Sequence, residues 1–153
     1  MDILLIDVDK LNLSDYIVLE EKNDLSYFMS RTRPYNYNEK NQLSLFWKYI
    51  CIENIKIGAL WIEKENEDST NATLGIFISD EINFCKGIGA KAIELAIIQV
   101  KKIMNIMKIE LHVRDSNIRA IRCYEKCGFN KSDKFIKKYL NEDINVIVMS
   151  RIL

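Results

Sequence analysis

The spacing of apolar and polar positions changes repeatedly along the chain, and each change marks an element. Ile3 to Val8 is a short apolar run interrupted by Asp7 and reads as a first strand. Asp15 to Arg31 has an uneven helical spacing, predicting a helix that ends near Arg33-Pro34, because the residue before a proline avoids helical angles. Asn38 to Phe46 predicts a second short helix. From Trp47 the period becomes two: Lys48 to Glu53, a turn at Asn54, then Ile57 to Glu63, the pattern of a hairpin. After the polar loop Lys64 to Thr70, Ala72 to Ser79 is a further strand. Ile93, Ile97, Val100, Met104 and Met107 then recur at helical spacing, with Lys91, Glu94, Lys101, Lys102 and Asn105 mostly on other faces. Ile109, Leu111 and Val113 alternate with Glu110, His112 and Arg114, so the period returns to two.

Ser116 or Asn117 can cap a helix running to Cys127, and Gly128 supplies the left-handed residue that ends it. Phe135 to Leu140 and Ile144 to Ile152, joined at Asn141 to Asp143, make a closing hairpin. The predicted order is β, α, α, β, β, β, α, β, α, β, β. A strand–helix–strand unit set among mostly antiparallel neighbours is an α+β sandwich. One proline and no Gly/Ser linker or repeat predict a single domain over residues 1–153.

Charge narrows the partners. Lys plus Arg is 22 and Asp plus Glu is 22, so no net field recruits nucleic acid or an anionic membrane. The distribution is uneven, with acids at Glu63, Glu65, Glu67 and Asp68 and bases from Arg114 to Lys138. The N-terminus lacks a basic region before its apolar run, and no stretch reaches the ~18 apolar residues of a membrane span. Of the four cysteines, Cys123 and Cys127 stand four apart, but a single histidine and no second pair leave no metal site expected. Reduced thiols and a cytoplasmic location are the expectation.

The candidate chemistry centres on Phe84 to Ala90, FCKGIGA, immediately before the long helix. A helix N-terminus offers unpaired N–H groups and a positive dipole end, and Gly87 and Gly89 let an anion approach the backbone. A nucleotide P-loop would need Gly-Lys-Ser/Thr, whereas Gly89 is followed by Ala90-Lys91-Ala92. The letters Gly87-Ile-Gly89-Ala-Lys-Ala92 satisfy a dinucleotide fingerprint. That motif places its first glycine directly off a strand, and here Ser79 to Lys86 intervene.

More of the chain fits a third pattern. The x-G-x-G-A turn, a helix, a strand and then SNIRAIRCYEKCGF (Ser116 to Phe129) resemble the GNAT superfamily of acyl-CoA N-acyltransferases. The family's second signature, Asn-x-x-Ala-x-x-x-Tyr-x-x-x-Gly-Phe, is matched by Asn117, Ala120, Tyr124, Gly128 and Phe129 in register. Phe84 stands where the pyrophosphate-loop pattern has Arg or Gln, and Cys85 where glycine is frequent.

The resemblance implies a GNAT fold, with a central mixed, mostly antiparallel sheet flanked by helices and two strands splayed at the acyl-CoA site. It implies acetyl-CoA as co-substrate and no metal. Backbone groups of Phe77 and Ile78 would pair with the pantetheine arm, and Cys85, Lys86, Gly87, Ile88, Gly89 and Ala90 would hold the pyrophosphate. Tyr124 would lie near the sulfur as general acid, a phenol of pKa ~10 being able to protonate a thiolate. Asn117 either bonds the cofactor arm or caps its helix. For the base, His112 and Glu63 both remain open: a histidine titrates near neutrality, whereas Glu63 would act through water. Since Glu110 and His112 share a strand face, His112 could equally meet a carboxylate.

The acceptor would be a small-molecule or peptide amine, with aminoglycosides and protein N-terminal amines as analogies. It would bind between the N-terminal helices and the last hairpin, near Arg31 to Asn41 and an aromatic group of Tyr27, Phe28, Tyr35, Tyr37, Phe46, Trp47, Tyr49 and Trp61. A module that binds acyl-CoA without transferring the group is the alternative, and a homodimer through the closing hairpin is possible.

Overall fold

The computed structural model describes residues 2–22, 25, 29–35, 37–38, 43–80, 83–84 and 86–153. Ten elements follow in order: β1 (Ile3–Asp7), α1 (Leu13–Glu21), β2 (Leu45–Ile52), β3 (Ile55–Lys64), β4 (Asn71–Ile78), α2 (Ile88–Val100), β5 (Lys108–Arg114), α3 (Ile118–Lys126), β6 (Asn130–Tyr139) and β7 (Glu142–Ile152). The strands form one sheet in the order β1-β2-β3-β4-β5-β7-β6, antiparallel throughout except where β4 meets β5. This is the mixed, helix-flanked sheet that the sequence pattern implied.

Strand alternation sends side chains to two cores. On one face Leu60, Ile62, Leu74, Ile109, Leu111 and Met149 pack with Ala92, Ile93, Ala96 and Val100 of α2 and Ile121 of α3. On the other, Trp47, Tyr49, Ala59, Trp61 and Phe77 pack with Tyr16 and Leu19 of α1. Most of the early aromatics are therefore core. Tyr37 packs against the second cluster and Phe46 lies in the first, while Tyr35 is exposed. Tyr27 and Phe28 lie outside the described residues.

Three expected boundaries move, each for a packing reason. The first helix ends at Glu21 rather than near Arg33. The Tyr16 hydroxyl donates to the Thr32 carbonyl at 2.6 Å and the Arg33 guanidinium pairs with Glu20 at 2.7 Å. A continuous helix would hold Tyr16 and Thr32 about 24 Å apart, so the chain has to turn back. No second helix occupies Asn38 to Phe46 among the described residues: Tyr37, Asn38, Leu43 and Ser44 are in turns, and β2 begins at Leu45. Leu45, Phe46 and Trp47 are drawn into the ladder opposite Glu63, Ile62 and Trp61. Finally, α2 stops at Val100, because Met104 and Ile106 turn into the core and Met107 donates its N–H to the Thr70 carbonyl at 2.7 Å, opening β5.

Candidate functional site

The site begins at a seam. Parallel pairing of β4 with β5 covers only Asn71↔Lys108, Ala72↔Ile109 and Thr73↔Glu110. Beyond Thr73 the strands part, although each stays bonded on its outer side, β4 to β3 as far as Ile78 and β5 to β7 as far as Arg114. The Ser79 N–H donates to Ile57 O at 2.9 Å, which fixes the alternation of the β3–β4 ladder. Odd residues of β4 bond towards β3, and the N–H and C=O groups of Leu74, Ile76 and Ile78 face the gap. Phe77 therefore differs from its sequence-based assignment. Its carbonyl points to β3, where a Cβ on Gly58 would run into it, and its ring is in the α1-side core.

A cavity of about 490 Å³ fills the seam and passes through the sheet. On the α2–α3 side it is walled by Leu74, Ile76, Ile78, the start of α2 and the inner face of α3; on the α1 side it reaches Leu25, Met29, Gly75, Phe77 and His112. That volume is in the range of small-ligand sites.

The two glycines of the turn have separate reasons. Gly87, the N-cap of α2, has φ 75°, a left-handed conformation that costs other residues about 1–2 kcal/mol. At Gly89 a Cβ would meet Cys123 Sγ of α3 at 3.4 Å, an ordinary contact, so there the glycine serves to keep the backbone bare towards the cavity it lines. No side chain caps α2, so its first N–H groups, on Ile88, Gly89 and Ala90, open on the cavity. Lys86 is exposed and lies outside the lining, and Cys85 lies outside the described residues. Cations come instead from α3: Arg119, Arg122 and Lys126 line the cavity, and the Arg119 guanidinium lies over the Phe84 ring.

Asn117 caps α3, its Oδ1 accepting from Ala120 N–H at 3.3 Å, and the residue also lines the cavity. Tyr124 projects from α3 into the lining, edge-on to Phe129. Burial, with a smaller contribution from the Cys123 sulfur, pushes its phenol well above the ordinary range. Cys123 beside it is held below the usual thiol range by a hydrogen bond from Cys127 and by the positive Lys126 and Arg119.

The two candidate bases separate. His112 lines the cavity on the α1 side, its Nε2 3.3 Å from Glu110 Oε1 and its ring edge-on to Phe135. Glu63 is not in the lining. It is buried, with Oε1 accepting from Arg31 Nη1 at 2.9 Å and from Tyr35 N–H at 3.0 Å, and this arrangement fastens the loop after α1 to β3. Arg31 in turn stacks 3.5 Å from the centre of the Tyr35 ring. Residue spacing gave no sign of this clamp, of the Arg119–Phe84 stack, or of the contribution of Leu25 and Met29 to the cavity, because all three bring together positions distant in sequence.

The sequence matches the family described as acetyltransferase (GNAT) over residues 7–129. A kanamycin resistance protein from Rhizobium radiobacter is 30% identical over 71 residues, which make up 46% of this chain and 65% of that protein, just under two thirds of the relative's length. Among solved structures, a spermidine N-acetyltransferase from Vibrio cholerae in complex with CoA and spermine superimposes with a TM-score of 0.79 at 21% identity, covering 98% of this chain and 95% of that one. An acetyltransferase of GNAT family from Streptococcus pneumoniae gives 0.80 at 16% identity over 99% of both chains. Aminoglycoside acetyltransferase AAC(6')-Ib in complex with coenzyme A gives 0.75 at 16% identity, over 99% of this chain and 95% of that one. Likenesses at such identities establish the fold. The family match runs from the end of β1 to Phe129, just past α3, with the glycine turn, the parted strands and the Asn117 to Phe129 signature inside it, and the chain belongs to the acetyltransferase (GNAT) family.

Proposed function

We propose that the chain is an N-acetyltransferase that moves the acetyl group of acetyl-CoA to a primary amine on a small molecule or peptide. The observation that carries this reading is the cavity through the β4–β5 seam, edged by unbonded backbone and closed by an uncapped helix start. The pantetheine arm, which carries amides, would bond Ile76 and Ile78 as a missing strand would. The pyrophosphate would sit on the N–H groups of Ile88, Gly89 and Ala90, with the α3 cations Arg119, Arg122 and Lys126 around it.

The thioester carbonyl would then lie where the seam crosses the sheet, polarised by an N–H of β4. The amine enters from the α1 side, and His112 takes its proton as nitrogen attacks the carbonyl carbon, with Glu110 stabilising the imidazolium. The C–S bond breaks and Tyr124, protonated because of its burial, donates to the departing thiolate. Asn117 positions the arm through its amide nitrogen while its oxygen caps α3. Glu63 has a supporting part in this scheme, holding Arg31 and the acceptor-side loop. Three described cysteines are free, in keeping with a cytoplasmic enzyme.

Relatives named for kanamycin, spermidine and aminoglycosides support an amine acceptor as a class. The test pairs thermal unfolding with acetyl-CoA, CoA, NADH and ATP with CoA release over an amine panel. A ligand present at 100 times its dissociation constant stabilises by about 2.7 kcal/mol. Stabilisation by the two CoA species alone, with amine-dependent CoA release, is expected. Stabilisation without release on any amine would make the chain a binding module.

A further inference from the structure

Two thiols meet behind the start of α2. Cys123 lies in α3 and Cys127 is its C-cap, four residues on. Cys123 Sγ is 3.4 Å from where a Cβ on Gly89 would stand, and Cys127 Sγ is 3.8 Å from the Ala90 carbonyl oxygen. Both sulfurs therefore face the first turn of α2. Gly89, Ala90 and Cys123 line the cavity, whereas Cys127 is buried behind them. The thiols also hydrogen-bond to each other. That bond, ahead of Lys126 and Arg119, holds Cys123 towards its thiolate, and with burial it keeps the proton on Cys127. An accessible thiolate beside a buried, protonated thiol is an attacking and a resolving cysteine. Cys51 belongs to the core on the other face of the sheet.

Side chains four apart on a helix have Cβ atoms about 5–6 Å apart. A disulfide needs about 3.5–4.5 Å. The difference falls where the helix can yield, because Cys127 has left helical geometry at φ −85°, ψ 10°. Its N–H is shared between Cys123 O at 3.2 Å and Tyr124 O at 3.0 Å. Joining the sulfurs tightens this last turn and takes Cys127 Sγ off the Ala90 carbonyl. It also shifts Tyr124 and Lys126, which line the cavity, against the first turn of α2.

We propose that a hydroperoxide converts Cys123 and Cys127 into a disulfide that closes the cavity to CoA. The Cys123 sulfur attacks one peroxide oxygen, the O–O bond breaks and hydroxide leaves, giving a sulfenic acid. The Cys127 sulfur, losing its proton, then displaces hydroxide from Cys123, so that S–S forms and S–O breaks. Two thiols give up two electrons and two protons, and hydrogen peroxide becomes two waters. A thiol reductant reverses the change. Bound CoA must disfavour the bridge by the same factor as the bridge disfavours CoA. The closure rests on the acetyl-transfer reading above; the thiol chemistry does not.

The test treats the full chain with a small excess of hydrogen peroxide, blocks free thiols with iodoacetamide and digests it with trypsin. Cleavage after Arg122, Lys126 and Lys131 leaves the two cysteines on separate peptides, so the bridge is read as peptide 123–126 joined to peptide 127–131. CoA titrations on reduced, oxidised and dithiothreitol-treated protein run in parallel. Affinity is expected to fall tenfold or more on oxidation and to return on reduction, with bridging slower in CoA-loaded protein. Cys127→Ala should bind CoA as the reduced wild type does and stop at a sulfenic acid on Cys123 that dimedone traps. The oxidation and reduction cycle of the wild type carries the test alone if that variant does not fold. Thiols left unbridged, or Cys123 joined to another cysteine, overturn the inference, as does a bridged chain that binds CoA unchanged. A reduced chain that takes up no CoA overturns the transfer reading and with it the closure, even where the bridge forms.

Discussion

The Arg119 guanidinium lies 3.6 Å from the centre of the Phe84 ring. Phe84 is the position at which the chain departs from the Arg or Gln of the pyrophosphate-loop pattern. The stack brings a guanidinium from α3 to the loop that lacks its own. A cation over an aromatic face contributes roughly 0.5–2 kcal/mol, so the pair also braces the loop. Arg119→Ala is expected to weaken CoA binding by about tenfold or more, and Phe84→Leu by less, because it keeps the charge and loses the platform. Isothermal titration with CoA checks the order of the two effects.

Tyr124→Phe would remove the proposed proton donor and keep the ring packed against Phe129. Turnover should fall by about 10²-fold or more, as for loss of a general acid, with the KM for acetyl-CoA little changed. Since burial raises the phenol's pKa, Tyr124 remains protonated through the neutral and mildly alkaline range. The wild-type rate should show no falling limb from this group below about pH 10. A pH–kcat profile that loses such a limb in Tyr124→Phe would contradict the assignment.

His112 and Glu63 predict different outcomes. His112→Ala should lose turnover with CoA binding retained. Glu63→Gln should leave turnover at saturating amine near wild type, while raising the acceptor KM and lowering stability by about 1–3 kcal/mol, because Arg31 loses its buried partner. Urea unfolding alongside kinetics separates the two: a large kcat loss in Glu63→Gln would restore Glu63 as base and remove it from a purely supporting part.

Cys123 and Cys51 should differ in reactivity. Cys123 lies below the ordinary thiol range and lines the cavity, whereas burial holds Cys51 above it. Alkylation by iodoacetamide requires the thiolate, so Cys123 should react at lower pH than Cys51 and be protected by CoA. Peptide mass mapping after timed alkylation reads both.

Gly75→Ala tests the seam from the opposite side of β4. A Cβ at Gly75 would overlap the Trp61 indole, which is 1% exposed and has no slack around it. A loss of about 1–3 kcal/mol in unfolding free energy is expected from overpacking, with acceptor binding affected because Gly75 lines the cavity.

Much of the sheet was legible in the sequence because its signals are local. Period-two runs gave β3, β4 and β5, and the Asn117 to Phe129 signature gave α3 with its cap and its Gly128 end. The errors occur where a partner far along the chain decides the structure. Thr32 and Arg33 fold back on Tyr16 and Glu20, which no spacing between Asp15 and Arg31 encodes. Leu45 to Trp47 are strand because β3 stands beside them, although Asn38 to Phe46 taken alone resembles a helix. The site divides in the same way. Motif positions such as Gly87, Gly89, Asn117 and Tyr124 line one cavity, while Leu25, Met29 and His112 of its other mouth come from the segment after α1 and from β5.

Three rungs of parallel ladder hold the β1–β4 half of the sheet to the β5–β7–β6 half. Along the rest of that line the backbone has no neighbour, so the protein is least cross-linked where its cofactor would lie. Bound CoA would act as a splint between two half-sheets. Amides bordering the seam, Leu74, Ile76 and Ile78 above all, should exchange with solvent far more slowly in the complex than alone, while those of the β6–β7 hairpin exchange alike in both.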